Sequence, residues 1–60
     1  MDKRVLTGNE AAKILDVSKP TLYRLCQTEG FPCIRVGRAI RMPYDALLRW
    51  MEESAGKQVL

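Results

Sequence analysis

The pattern of apolar and polar residues predicts two short helices in the first half of the chain. Thr7 and Glu10 form a capping-box pair ahead of apolar residues with helical spacing. Ser18 offers a second N-cap, and Pro20 follows in the first turn, where a proline removes no intrahelical hydrogen bond. We therefore expect a first helix of about two turns after Thr7 and a second helix over about residues 19–28, ended by Gly30.

The next segment has the alternation of a β-hairpin, with two possible registers. A two-residue turn at 37–38 would place Arg35 opposite Ile40, whereas a three-residue loop over 37–39 would place Arg35 opposite Arg41. We predict the three-residue loop because it also pairs Val36 with Ile40, although Gly37 at the first loop position is not its usual chemistry. Two facing arginines repel each other unless an anion lies over them.

A third helix is predicted to begin after Pro43, with Asp45 in its first turn and an apolar stripe behind it. Trp50 lies at the edge of that stripe, and we expect it to close the core against the hairpin. The tail from Ser54 onward is expected to fray. The predicted core consists of Leu15, Val17, Leu22, Leu25, Ile34, Val36, Ile40, Leu47, Leu48 and Met51.

Together these elements predict an α+β fold, in the order helix, helix, β-hairpin, helix. The 60 residues suffice for a single small domain, with an ordered core over about residues 5–54. The first two helices are joined by only three residues, which is typical of a helix-turn-helix.

Charge is concentrated in the middle of the chain, which favours a polyanionic partner. The whole sequence carries a net charge of +3, but residues 17–42 alone carry +4, from five basic residues and one acidic residue. The basic residues are Lys19, Arg24, Arg35, Arg38 and Arg41.

Several classes of protein are disfavoured by composition. No apolar run approaches a membrane span and no signal-peptide pattern opens the chain, so we expect a cytoplasmic location and no membrane partner. The chain has no histidine, and Cys26 and Cys33 lack zinc-site spacing, so we expect no metal, no cofactor and free thiols. We also expect no small-molecule ligand and no enzymatic activity, since no catalytic base is easily nominated.

A set of motifs runs in order along about residues 5–52: Leu6-Thr7, Glu10-Ala11-Ala12, Leu15-Asp16-Val17-Ser18, Thr21-Leu22-Tyr23-Arg24-Leu25, Phe31-Pro32, Arg35-Val36-Gly37-Arg38, Ile40-Arg41-Met42-Pro43, and Leu47 with Trp50. In this order they resemble the excisionase family, also called recombination directionality factors, in the MerR-like winged-helix group. The resemblance implies a helix-turn-helix, a two-stranded wing and a closing helix. Asp16 departs from the family, which usually has glycine in a left-handed conformation there; aspartate tolerates that conformation better than most residues.

A recognition helix presents its N-terminal residues to base edges in the major groove. The predicted DNA-binding residues of the second helix are Ser18, Lys19, Pro20, Thr21, Tyr23 and Arg24. Arg24 could bond guanine and Thr21 a thymine methyl or a phosphate, whereas Lys19 better suits a phosphate. Tyr23 has two interpretations: a hydroxyl that bonds phosphate, or a ring that packs beside the wing.

The predicted DNA-binding residues of the wing are Arg35, Gly37, Arg38 and Arg41. Gly37 permits the turn, and Arg38 at the tip could enter the minor groove. With Arg35 and Arg41 on one exposed face, both would meet phosphates.

Three functions are compatible with this sequence. The first is an excisionase that binds and bends DNA at the ends of a mobile element and directs an integrase towards excision. The second is a small transcriptional regulator of a phage or mobile element with the same domain. The third is a protein-interaction module, which would use an exposed apolar patch; the sequence suggests none outside the tail.

Overall fold

The computed structural model describes residues 4–60, so the first three residues of the predicted domain lie outside the described part. Within residues 4–60 it contains three helices and a three-stranded antiparallel sheet with strand order β1-β3-β2. The elements are β1 Val5–Thr7, α1 Gly8–Leu15, α2 Lys19–Cys26, β2 Ile34–Val36, β3 Ala39–Pro43 and α3 Tyr44–Ser54. The α+β class is confirmed, and β1 is an element that was not predicted from the sequence.

The first helix begins and ends as its local sequence dictates. The Thr7 amide donates to Glu10 Oε1 over 2.9 Å and the Glu10 amide donates to Thr7 Oγ1 over 3.2 Å, which completes the capping box. Asp16 adopts the left-handed conformation, with φ 57° and ψ 48°. The amides of Asp16 and Val17 donate to the carbonyls of Lys13 and Ala12, the bond pair of a Schellman motif. This turn redirects the chain into α2.

The second helix is shorter than predicted. Ser18 caps it, accepting a bond from the Thr21 amide over 3.4 Å. Its last residue is Cys26, because the amides of Gln27 and Thr28 donate three residues back instead of four, and this tightens the final turn.

The predicted hairpin register is wrong. Val36 pairs with Ala39 and Arg35 with Ile40, so the turn has two residues, Gly37 and Arg38. Gly37 has φ +61°, while Arg38 has a negative φ. Positive φ at the first central residue alone is the pattern of a type II′ turn, whose twist matches that of the flanking strands. Gly37 at the first loop position was therefore the signal for the shorter turn.

The sheet has one buried face and one exposed face. Cross-strand partners share a face, and the buried face carries Leu6, Ile40 and Met42, each at most 6% exposed. The first residue of α1 lies close to this face: a Cβ on Gly8 would lie 3.2 Å from the Ile40 side chain. The core is completed by Ala11, Ala12, Leu22, Leu25, Phe31 and Leu47.

Three predicted core residues are in fact exposed. Ile34 and Val36 lie on the outer face of the edge strand β2, where nothing covers them within residues 4–60, and Leu48 lies on the solvent side of α3. Trp50 packs on Phe31 in the loop between α2 and β2, with ring centroids 4.8 Å apart at 88°. Trp50 is half-buried against the core, and its aromatic partner lies in the segment that precedes the hairpin.

Candidate nucleic-acid interface

One face of α2 is open to solvent and carries most of the predicted recognition residues. Lys19, Pro20, Tyr23 and Arg24 are exposed along it, while Leu22 and Leu25 are buried on the opposite side. The Asp16 turn fixes the start of the helix. The two buried leucines hold its opposite side against the core.

Ser18 and Thr21 have a structural role at the start of this face. The Ser18 hydroxyl donates to Thr21 Oγ1 over 3.0 Å and also accepts the Thr21 amide. Ser18 is exposed and Thr21 is partly covered. A direct contact of either hydroxyl with DNA would therefore share or replace a capping bond.

The cations of this face are free of ion pairs. Within residues 4–60, neither Lys19 nor Arg24 makes an ion pair, and no residue of α2 is acidic. Both side chains therefore leave their charge available to an external anion. The partial positive charge at the N-terminus of α2 adds to the same field.

The three wing arginines do not share a face, contrary to the predicted register. Arg38 lies at the exposed tip, and Arg35 lies opposite Ile40 on the side of the hairpin that faces α2. Burial raises the pKa of the Cys26 thiol to about 12, and the positive charge of Arg35 opposes that rise, which places the guanidinium near the end of α2. The structure thus brings Arg35 towards α2.

Arg41 lies on the outer face of the sheet and points elsewhere. It pairs with Ile34 on one side and Thr7 on the other, and its Nη1 donates to the Ile40 carbonyl over 2.7 Å. Hydrogen bonds from Thr7 lower the pKa of Glu10, and the charges of Arg4 and Arg41 lower it further. Arg41 therefore lies near Glu10 and the start of α1, on the face of the sheet opposite to that of Arg35.

Gln27 is exposed one turn beyond Arg24, and it extends the open face of α2. It was not among the predicted site residues, although its spacing from Tyr23 and Arg24 puts it on the same helical face. An amide that can donate and accept is a suitable side chain for a base edge.

A small cleft lies apart from this face, between the α2–β2 loop and α3. Its volume is about 180 Å³, and its lining includes Trp50, Arg49 and Glu53. Pockets for small ligands commonly hold about 300–1,000 Å³.

None of the helices within residues 4–60 has the length and apolar character of a membrane span.

Two short helices joined by a tight turn, the second with an open cationic face, define a small helix-turn-helix protein. The chain belongs to the helix-turn-helix domain family, whose pattern matches residues 5–55. This family and the relatives described next support DNA binding.

Proteins of Mycobacterium tuberculosis are similar to this chain. One from strain H37Rv, named "Putative antitoxin VapB50", is 43% identical over 49 residues, which cover 82% of this chain and 38% of that protein. One from strain CDC 1551 / Oshkosh, named "Putative DNA-binding protein MT0521", is 39% identical over 51 residues, 85% of this chain and 65% of that protein. The chain thus spans less than two thirds of these relatives. No solved structure matches it.

Proposed function

We propose that this protein binds specific DNA sequences, with α2 in the major groove and the β2–β3 hairpin as a wing beside it. The observation that carries the proposal is the exposed face of α2, where Lys19 and Arg24 make no ion pair within residues 4–60. A DNA backbone supplies the anions that this face lacks. Membership of the helix-turn-helix family supports the same orientation.

In this arrangement the residues of α2 divide between bases and backbone. Arg24 is exposed in the second turn and has the length and planar donor group to bond guanine O6 and N7. Lys19, at the first helical position, lies where a phosphate approaches a helix N-terminus. Tyr23 is 46% exposed beside Arg24, which leaves its hydroxyl open to a phosphate.

In the hairpin, we assign DNA contacts to Arg35 and Arg38 and not to Arg41. Arg38 is exposed in the turn at the end of the hairpin, which suits insertion into a narrow minor groove. Arg35 faces α2 and would bind the phosphates between the two grooves. Arg41 already donates to a backbone carbonyl and lies near Glu10, so its charge is partly used within the domain.

We propose that the protein acts as an excisionase. It bends DNA at the ends of a mobile element and helps an integrase assemble for excision. The support is the order of motifs over about residues 5–52. It would perform no chemistry itself and would act in the cytoplasm. A transcriptional regulator is the alternative function, and relatives named as an antitoxin and as DNA-binding proteins are compatible with it.

The first experiment selects duplexes from a random-sequence pool and measures fluorescence anisotropy on the selected duplex and on a scrambled one. We expect tighter binding to the selected duplex and weaker binding to both as salt is raised, because counterions are released from DNA. Equal affinity for the two duplexes would contradict sequence-specific binding, and no binding at low salt would contradict DNA binding itself.

Variants then locate the interface. Arg24→Ala should weaken binding to the selected duplex by about tenfold or more and reduce its preference over the scrambled duplex. Arg38→Ala should weaken binding to both duplexes alike. The matched control is Arg49→Ala, which removes an exposed arginine from α3 beside the cleft. An equal loss in Arg24→Ala and Arg49→Ala would mean that only net charge matters.

Two assays distinguish an excisionase from a transcriptional regulator, one with an integrase and one with a promoter. If the protein is an excisionase, adding it to an integrase and DNA that carries the integrated element should raise the yield of excised product. A regulator would instead change transcription from a promoter that contains the selected site, with no effect on excision.

Cooperative binding is expected for a protein of this size. A single DNA-binding module buries only about 600–1,000 Å² of its surface, so one copy alone binds weakly. We propose that copies bind direct repeats side by side and strengthen one another. A titration of a two-repeat duplex that fits two independent sites would contradict this.

Protein binding is the second candidate function, and the outer face of the sheet favours it. Val5, Ile34 and Val36 are 56%, 50% and 59% exposed on that face. These exposed side chains lie outside the tail, where the sequence suggested no apolar patch. Val36→Ser should leave binding to a single DNA site unchanged, and it should weaken cooperative binding if a protein partner covers this face.

A further inference from the structure

The two cysteines lie at the junction between α2 and the hairpin. Cys26 is the last residue of α2, and Cys33 directly precedes β2. Both are free and half-buried, and both pack against the same hydrophobic core. The two thiols lie close enough to influence each other, since Cys33 contributes to the raised pKa of Cys26.

The segment between the cysteines is held by its own bonds. The Thr28 amide donates to the Leu25 carbonyl over 2.9 Å, and the Phe31 amide to the Thr28 carbonyl over 3.2 Å. The Cys33 amide donates to the Phe31 carbonyl over 2.8 Å. Phe31 itself is buried, with its ring against Trp50. These bonds hold the loop that brings the two cysteines together at the edge of the same hydrophobic core.

We propose that Cys26 and Cys33 are a reversible modification site, a dithiol that a peroxide oxidises to an intramolecular disulfide joining the end of α2 to the start of β2. This proposal does not depend on DNA binding. It uses the only two cysteines of the sequence and assigns them a shared role.

The reaction balances with one peroxide per pair. The thiolate of one cysteine attacks a peroxide oxygen and the O–O bond breaks, which gives a sulfenic acid and hydroxide. The hydroxide takes up the proton that the thiol released and leaves as the first water. The second sulfur then attacks the sulfenic sulfur, the S–S bond forms, the S–O bond breaks, and a second water leaves with the remaining thiol proton. The two sulfur atoms together lose two electrons to the peroxide.

The surroundings of the thiols indicate the order of the steps. Burial and the neighbouring Cys33 thiol raise the pKa of Cys26 to about 12, so Cys26 stays protonated at neutral pH. We therefore assign Cys26 the resolving role, the attack on a sulfenic acid formed at Cys33. The positive charge of Arg35 opposes the rise in the Cys26 pKa, so it favours negative charge on that sulfur.

The test treats the full chain with hydrogen peroxide and follows free thiols and peptide mass. Cleavage after Arg24 and Arg35 gives a single peptide that contains both cysteines. We expect this peptide to lose two hydrogen atoms, and the two reactive thiols to disappear together and return with dithiothreitol. We also expect the oxidised protein to melt higher, by roughly 10 °C, because the crosslink restricts the unfolded chain.

Cys26→Ser and Cys33→Ser are the matched controls, because each keeps one thiol. Neither should yield the peptide that lacks two hydrogens. Three outcomes would overturn the proposal: thiols that stay reduced under peroxide, a peptide that gains oxygen instead of losing hydrogen, or disulfide-linked dimers in place of the internal bond. All three can be read from the unsubstituted chain, so the result stands even if a serine variant folds poorly.

Discussion

Both faces of the sheet carry apolar side chains, but only one face is buried. On the inner face, Leu6, Ile40 and Met42 are buried under the helices, with Met42 fully inaccessible. On the outer face, Val5, Ile34 and Val36 are each at least half exposed. Apolar side chains project from both faces of the same strands, so the difference in exposure lies in what covers each face.

A domain of this size has few helices with which to cover a sheet. Helices α1 and α3 both contact β3, the central strand, and cover one face. Within residues 4–60 no element is left for the other face. Burial on the inner face therefore provides stability, while the outer face remains free to contact another molecule.

Met42→Ala should destabilise the domain far more than any truncation on the outer face. Met42 is 0% exposed at the centre of the inner face, so its truncation removes buried area and leaves a cavity. We expect the free energy of unfolding to fall by about 2–5 kcal/mol. The measurement is urea denaturation followed by circular dichroism.

The matched control lies on the other face. Val36→Ala shortens a side chain that is 59% exposed, and its unfolding free energy should change by at most about 0.5 kcal/mol. Because a small domain can lose its fold entirely on Met42→Ala, Met42→Leu provides a milder variant, with an expected loss below about 1.5 kcal/mol. Similar losses at Met42 and Val36 would show that the outer face is covered in solution.

Gly37→Ala tests the turn that assigns residues to the two faces. Gly37 has φ +61°, which an alanine adopts only with strain, so we expect a loss of about 1 kcal/mol or more in unfolding free energy. Gly56→Ala is the control: Gly56 also has a positive φ, +82°, but it lies after α3 and sets no strand register. A smaller loss at position 37 than at position 56 would contradict the importance of the turn.

The sequence allowed the helical part of the fold to be predicted because its signals are local. The capping box at Thr7, the cap at Ser18 and the left-handed Asp16 each depend on residues within one turn, and each is present in the structure. The exposed face of α2 follows from helical periodicity, so Lys19, Tyr23 and Arg24 are where they were expected.

The sheet could not be predicted equally well, because its burial depends on distant segments. Strand β1 has only three residues and is recognisable only from its pairing with β3. The preference for Val36 opposite Ile40 assumed that both were buried on one face, whereas the glycine-first turn favoured the other register. The choice of register also decided on which face of the sheet each arginine was expected. The actual register separates Arg35 from Arg41.

The smallest expected effect concerns the polar end of the outer face, where Thr7 and Arg41 are cross-strand partners. Bonds from Thr7 hold the pKa of Glu10 below its usual value of 4.5 in the folded state. A group with a lowered folded pKa stabilises the fold fully above its unfolded pKa, and the contribution is lost as the pH falls through the folded value. Stability should therefore decline below about pH 4.5, more steeply in the native chain than in Glu10→Gln. Glutamine keeps an oxygen that can accept the Thr7 amide but carries no titrating charge, so it isolates the charge from the capping geometry. Urea denaturation across pH 3–6 measures both slopes, and parallel slopes would mean that the Glu10 charge contributes nothing to the capping box.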